Sequence, residues 1–293
     1  EIKRGQGGRE IAKNLEKEGL IKSGLQFRFH IFFRGVSGRL QAGTYLLSPA
    51  MTIPKITEKF AKGETIKEKI TIIEGWNLKD IAGYFEDRGL FPVKDFLAAV
   101  EKDFSFDLEF LKEKPKNIGL EGYLFPDTYE VEDREAVEGI IRKMLDNFDK
   151  KLTSDLREEI KKQKKTIFEI ITTASLIEKE VKTNEDKKLV SGILWKRLKY
   201  GMPLQVDASI VFITGKRNTG VSIKETKIDS PYNTYKYRGL PLGPISNPGL
   251  ESILAAVYPE NSEYWYYLST LEGKTIFSKT LEEHNLARTQ YLK

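Results

Sequence analysis

Residues 166–181 read TIFEIITTASLIEKEV. Ile167, Ile170, Ile171, Ile177 and Val181 gather with Ala174 on one apolar stripe at helical spacing. Leu176 and Thr173 interrupt the back face, which would be polar in a surface helix. A helix covered on two sides is an interior helix, and it predicts a mainly helical domain around itself. Two carboxylates stand near its end. Glu178 borders the apolar stripe, and Glu180 lies on a flank beside Leu176 and Thr173. A carboxyl that loses hydration there is disfavoured in its charged form, so its pKa rises, as a general acid near neutral pH requires. Two plainer readings compete: an ion pair with a buried Lys or Arg, or an i,i+4 bridge from Glu178 to Lys182. Periodicity alone favours Glu178 as the more buried of the two.

Further helices flank this one. REAVEGIIRKMLDNFDKKL (134–152) and SDLREEIKKQKK (154–165) precede it, and EDKKLVSGILWKRLKYG (185–201) follows, stopping at Gly201. QVDASIVFITG (205–215) reads as a strand or a short helix. A long irregular segment rich in Pro and Gly, DSPYNTYKYRGLPLGPISNPG (229–249), comes next. Such a loop inside a compact domain is either a self-packed surface loop or a binding wall. The chain closes with a helix (250–259), an aromatic strand YWYYLST (264–270), a turn LEGK, a strand TIFSK (275–279) and a last helix (280–293). Tyr264 to Tyr267 read as strand core, and His284 as structural.

The N-terminal part contains an internal echo. IKRGQGGREIAKNLEKEGLI (2–21) aligns with IIEGWNLKDIAGYFEDRGLF (72–91), each a short strand, a Gly turn and a helix that stops at Gly. GTYLLS (43–48) reads as a strand between the copies, followed by the helix IPKITEKFAKG. These features predict one small α/β module over residues 1–110. A Pro- and Gly-broken junction near 101–120 separates it from a second domain over 111–293, so the fold class is α+β.

Composition excludes several functions. The chain of 293 residues has no Cys, hence no disulfide or thiol chemistry. Its two His, His30 and His284, lie at opposite ends, so no zinc site is expected and no Ser-His-Asp triad is indicated. Lys/Arg (48) and Asp/Glu (43) interleave throughout, the pattern of solvated helix faces. The net charge of +5 permits anionic partners, but no RNA-module motif accompanies it and nucleic acid is not expected. No run of 18 apolar residues occurs, so nothing in this sequence spans a membrane as a helix. The chain begins EIKRGQGG, without Met, and an anchor or signal segment ahead of it is expected.

Five segments in order, EGYLFPDTY, ASLIEKE, LVSGILWKRLKYGMPLQVDASIVF, SPYNTYKYRGLPLGPISNPG and FSKTLEEHN, resemble the YceG-like endolytic murein transglycosylases. The resemblance implies a single-pass protein of the cytoplasmic membrane with a LysM-like module and a catalytic domain on the extracytoplasmic face. Implied too is cleavage of the β-1,4 bond between N-acetylmuramic acid and N-acetylglucosamine in nascent peptidoglycan. That cut would form 1,6-anhydro ends and terminate strand elongation, with no cofactor or metal and with peptidoglycan synthases as partners. The motif assigns the catalytic role to Glu180, against the periodicity, with Glu178 and Glu121 as possible supporting residues. Gln205, Asp207, Tyr232, Asn233, Tyr235 and Asn247 are expected to line the sugar groove, amides and hydroxyls suiting N-acetyl groups and rings suiting sugar faces. Glu121 and Asp127 in EGYLFPD are expected to stabilise the junction or the groove's edge. The rival readings are a non-catalytic peptidoglycan-binding protein and a pyridoxal-phosphate lyase. For the lyase, no Lys sits in a Schiff-base context with a phosphate-cradling Gly loop.

Overall fold

The computed structural model describes residues 1–3, 5–102, 108–116, 118–132, 135–216, 220–270 and 272–291. The chain is α+β, mostly helical with few strands, and divides into two compact units: residues 1–70 with 128–136, and residues 71–127 with 137–293.

The first unit holds α1 (Gly8–Lys17), α2 (Gly24–Phe33) and α3 (Ile53–Lys62). It also contains the strand pair of β1 (Lys67–Thr71) and β2 (Thr128–Glu132). Its core gathers Ile11, Ala12 and Leu15 of α1, Phe27 and Ile31 of α2, and Ile56 and Phe60 of α3. Tyr45 meets Phe60 edge-on at 4.7 Å and donates its hydroxyl to the Gln41 carbonyl at 2.8 Å. That bond satisfies the polar end of a ring whose body is buried. The strand expected at GTYLLS reduces to a single antiparallel bridge between Ile2 and Gly43.

The second unit contains α4 (Leu78–Asp87), α5 (Val93–Glu101), α6 (Val137–Lys151), α7 (Ser154–Lys162), α8 (Ile167–Glu180) and α9 (Asn184–Lys199). After them come α10 (Asp207–Thr214), α11 (Leu250–Val257), the strands β3 (Tyr266–Ser269) and β4 (Thr275–Ser278), and α12 (Leu281–Tyr291). The strands form an antiparallel hairpin that pairs Tyr266 with Ser278 and Ser269 with Thr275. The expected LEGK turn includes Leu271, which lies outside the described residues, as do the last two positions of the C-terminal helix.

α8 is the interior helix that its sequence predicts. Residues Ile170 to Ile177 are buried without a break, and α7, α9, α10 and α11 all pack against it. Its start is fixed by a capping box: Thr166 accepts from the Glu169 N–H at 3.1 Å, and Glu169 accepts from the Thr166 N–H at 2.8 Å.

The internal echo is real in backbone terms. α1 and α4 both end at a left-handed glycine, Gly19 (φ 69°) and Gly89 (φ 68°). Each is closed by the same reach-back bond, Leu20 N–H to Leu15 O and Leu90 N–H to Phe85 O, both 2.9 Å. The two copies fall in different compact units, whereas the sequence reading places both in one module over 1–110. The reason is where the second copy buries its apolar face. Phe85 packs on Phe91 and Phe96, and α5 packs on α6, so the α4–α5 hairpin joins the helical unit. The expected junction at 101–120 includes residues 103–107 and 117, which lie outside the described residues.

Candidate active site

A groove of about 1420 Å³ opens in the second unit. Its lining draws on α4, the EGYLFPD segment, the end of α8, α9, α10, the Pro/Gly loop, β3 and α12. Glu180, the last residue of α8, is part of that lining and only partly exposed. The backbone N–H of Ala208, in the first turn of α10, donates to Glu180 Oε1 at 3.3 Å. The Tyr267 hydroxyl on β3 also hydrogen-bonds to this carboxylate. Burial, and next the neighbouring Asp207 carboxylate, push the Glu180 carboxyl up to about 7; the Ala208 N–H, Tyr267 and Arg197 pull the other way. The group is therefore poised between its two protonation states at neutral pH, with donors in place for the anion.

The surroundings are built to hold that carboxyl still. Arg197 of α9 is buried, and its guanidinium donates to the Leu204 carbonyl at 2.7 Å and to the Trp265 carbonyl at 2.9 and 2.7 Å. It pins the approach to α10 and the start of the β3–β4 hairpin to α9, and burial lowers its pKa. Gln205 precedes α10 with φ 52°, a left-handed conformation that costs a side-chain-bearing residue about 1–2 kcal/mol. Its N–H donates to Thr234 O at 3.0 Å, and the next N–H, of Val206, to Thr234 Oγ1 at 2.9 Å. This turn swings Gln205 and Asp207 toward the groove while Val206 goes into the core. Tyr235 donates its hydroxyl to Asp207 Oδ1, and burial, then that bond, raises its pKa.

The Pro/Gly loop is locked to α8 from behind. Ser175 Oγ accepts from the Ile245 N–H at 3.0 Å, and Ser246 donates to the Ser175 carbonyl at 3.2 Å. Gly122, at φ 88°, lets the EGYLFPD turn lie on Pro244 and Ile171; a Cβ there would fall 2.5 Å from Pro244 and 2.9 Å from Ile171.

Of the residues singled out from sequence, Glu180, Gln205, Asp207, Tyr232, Tyr235 and Glu121 share this groove. Three do not. Glu178 points away: its side chain is 9% exposed and faces Lys187 Nζ at 3.3 Å, while its other oxygen accepts from Gly249 N at 3.0 Å and Ser252 Oγ at 2.6 Å. It is the buried ion pair that competed with the catalytic reading. Asn233 is buried beneath the loop, donating to the Thr226 and Ile228 carbonyls and accepting from the Tyr235 and Lys236 N–H groups. Asn247 is fully buried too: it accepts from the Leu124 N–H at 2.9 Å and donates to Trp76 O and Glu121 Oε1. Both amides are spent on the protein, so the expected sugar contacts at Asn233 and Asn247 are corrected to loop-holding roles. Glu121 takes the Leu78 N–H at 3.1 Å and the Asn247 amide; burial pushes its carboxyl up to about 8 against the Leu78 and Gly122 N–H groups and the charge of Lys79. Asp127 lies outside the lining and bonds Asn147 at 3.0 Å.

The sequence reading missed one side of the site. Tyr266 and Tyr267, read as strand core, line the groove instead, and Tyr267 touches Glu180. His284, read as structural, lines it as well and stacks on Tyr266 at 5.4 Å; burial lowers its pKa. Four consecutive aromatics, Tyr264 to Tyr267, offer no alternation from which to tell inside from outside. Among the described residues no cluster of His, Cys, Asp or Glu could hold a metal ion.

A shielded carboxyl on the wall of a groove lined by Tyr232, Tyr235, Tyr266 and Tyr267 has the chemistry of a proton-transfer group. The chain belongs to the YceG-like family, whose model matches residues 1–290. It is 37% identical to the endolytic murein transglycosylase of Bacillus subtilis over 96% of this chain and 81% of that protein. It is 34% identical to the Streptococcus pneumoniae protein of the same name, over 97% of this chain and 56% of that protein. The crystal structure of a YceG-like protein from Listeria monocytogenes superposes with a TM-score of 0.67 at 36% identity, covering 98% of this chain and 97% of that one.

Proposed function

We propose that this chain is an endolytic lytic transglycosylase of peptidoglycan, with Glu180 as its single acid/base. The observation that carries the reading is Glu180 itself: a groove-lining carboxyl held near pKa 7 by burial and Asp207, with two donors ready for its anion. Protonated Glu180 gives its proton to the oxygen leaving C1 of N-acetylmuramic acid. The resulting carboxylate then takes the proton of that sugar's own 6-hydroxyl as it closes on C1. The product is a 1,6-anhydro end, formed without water. One carboxyl suffices for both transfers, unlike the opposed pair of a hydrolase. The curated relatives carrying the transglycosylase name, at 34–37% identity, support the reaction class.

Within this reading Gln205, Asp207, Tyr232 and Tyr235 contact the glycan, and nascent strands are cut so that elongation stops. The first unit is LysM-like, holding glycan or spacing the catalytic unit. A single-pass anchor ahead of this sequence keeps the enzyme on the extracytoplasmic face of the cytoplasmic membrane beside peptidoglycan synthases.

One observation favours a second reading. Asp207, exposed in the same groove beside Glu180, is a second carboxylate that could activate water, giving a reducing end by hydrolysis. Digestion of uncrosslinked glycan strands followed by mass spectrometry separates the two, because the anhydro product is lighter by one water. Anhydro ends support the transglycosylase, reducing ends support the hydrolase, and intact strands that still bind would leave a glycan-binding protein.

A further inference from the structure

The first unit carries a feature that glycan cleavage does not use. On α2, Leu25, Phe29, Phe32 and Phe33 are 59%, 54%, 72% and 81% exposed. Their spacing, i, i+4, i+7 and i+8, puts them on one stripe. The opposite stripe, with Phe27 and Ile31, fills the core. α2 is thus apolar on two faces with only one of them covered, which is unusual for a helix bathed in water. The exposed rings touch chiefly one another, Phe29 with Phe33 at 6.3 Å and Phe32 with Phe33 at 5.7 Å.

The charge that α2 and the loop after it carry is of one sign, while Glu10 and Glu16 of α1 share a surface hollow with Leu25 and Arg28 at the start of the stripe. Between Glu18 and Glu58 the sequence has no Asp or Glu, in a chain that has 43 of them. The same stretch carries Lys22, Arg28, Arg34, Arg39 and Lys55, all exposed. Arg28, Arg34 and Arg39 take part in no ion pair among the described residues. Aromatic side chains edged by unpaired Arg match the interface of an anionic bilayer: rings enter the headgroup boundary and guanidiniums meet phosphates. A ten-residue helix is about 15 Å long and far too short to span. It would lie in the membrane plane.

We propose that α2 is an interfacial membrane-binding helix, docking the first unit on an anionic lipid surface through Leu25, Phe29, Phe32 and Phe33, with Arg28 beside the stripe and Arg34 and Arg39 following the end of the helix. The proposal stands apart from the catalytic reading, since it rests on other residues.

The test is co-sedimentation of the chain with vesicles of phosphatidylcholine containing about one third phosphatidylglycerol, against pure phosphatidylcholine. The expected result is partitioning at least about tenfold stronger onto the anionic vesicles. Phe32→Ser/Phe33→Ser lowers it about tenfold or more, and Arg28→Gln/Arg34→Gln/Arg39→Gln removes the preference for phosphatidylglycerol. Phe33→Trp, probed by fluorescence, shifts its emission to the blue when those vesicles are added. All these positions are exposed, so folding is retained. No blue shift, or partitioning unaffected by the Phe32/Phe33 double variant, overturns the proposal. So does light scattering that shows a dimer which the double variant dissociates, because the stripe would then join two copies of the chain.

Discussion

The Ala208 backbone N–H donates to Glu180 Oε1 at 3.3 Å, joining the first turn of α10 to the last residue of α8. Asp207, the residue before Ala208, brings a negative charge to the same place. One turn of chain therefore supplies both the bond that steadies the Glu180 anion and the charge that makes the anion costly. This balance places the group near neutrality, and it can be shifted in either direction.

Under the proposed mechanism the reacting enzyme needs protonated Glu180, so activity falls as pH rises through about 7. Asp207→Asn removes a group that raises the pKa and moves this limb to lower pH. Tyr267→Phe removes a donor that lowers it and moves the limb to higher pH. pH–rate profiles of the three proteins check the opposite signs; shifts in the same direction would refute the assignment.

Glu178 belongs to stability, not chemistry. Glu178→Ala strands Lys187, which is 4% exposed, and costs about 3–5 kcal/mol in denaturant unfolding. Replacing both partners with apolar residues of similar volume recovers most of that loss. Loss of turnover in folded Glu178→Gln at temperatures well below its melting point would argue for a catalytic role instead.

Glu121 makes stability fall with rising pH. Its carboxyl is near 8 in the folded protein and 4.5 unperturbed, so the native state holds a proton that the unfolded chain has released across that interval. Its contribution is full below about 4.5 and is lost as pH climbs to about 8. Glu121→Gln flattens that part of the profile in calorimetry, and an unchanged slope would show that the folded group titrates normally.

Gln205 carries a conformational cost at φ 52°. Gln205→Gly relieves it and melts above Gln205→Ala, by about 1 kcal/mol in chemical denaturation. Both variants lose the side chain that faces the groove, and the proposed function predicts weaker glycan binding for both. Equal stability of the two would mean that the turn is unstrained in solution.

The helices of the second unit were legible because α8 and its neighbours carry 3.6-residue periodicity and clear caps, as Thr166 illustrates. The Glu178/Glu180 choice was not legible from periodicity. Both are shielded, and only the partners brought from α9, α10 and α11 distinguish an ion pair from a groove acid. Asn233 and Asn247 looked like sugar contacts because an amide's chemistry does not reveal which way it faces. The unit to which the second copy belongs was not legible because an internal repeat gives a shared local pattern and not a packing partner, and Phe85 packs on Phe96 of the helical unit.

The most direct test of the central claim is the cleavage rate of uncrosslinked peptidoglycan strands by Glu180→Gln beside the parent protein, with melting curves confirming that both are folded. The account predicts a loss of about a thousandfold or more with the fold intact. Product formation at the parent rate would contradict it.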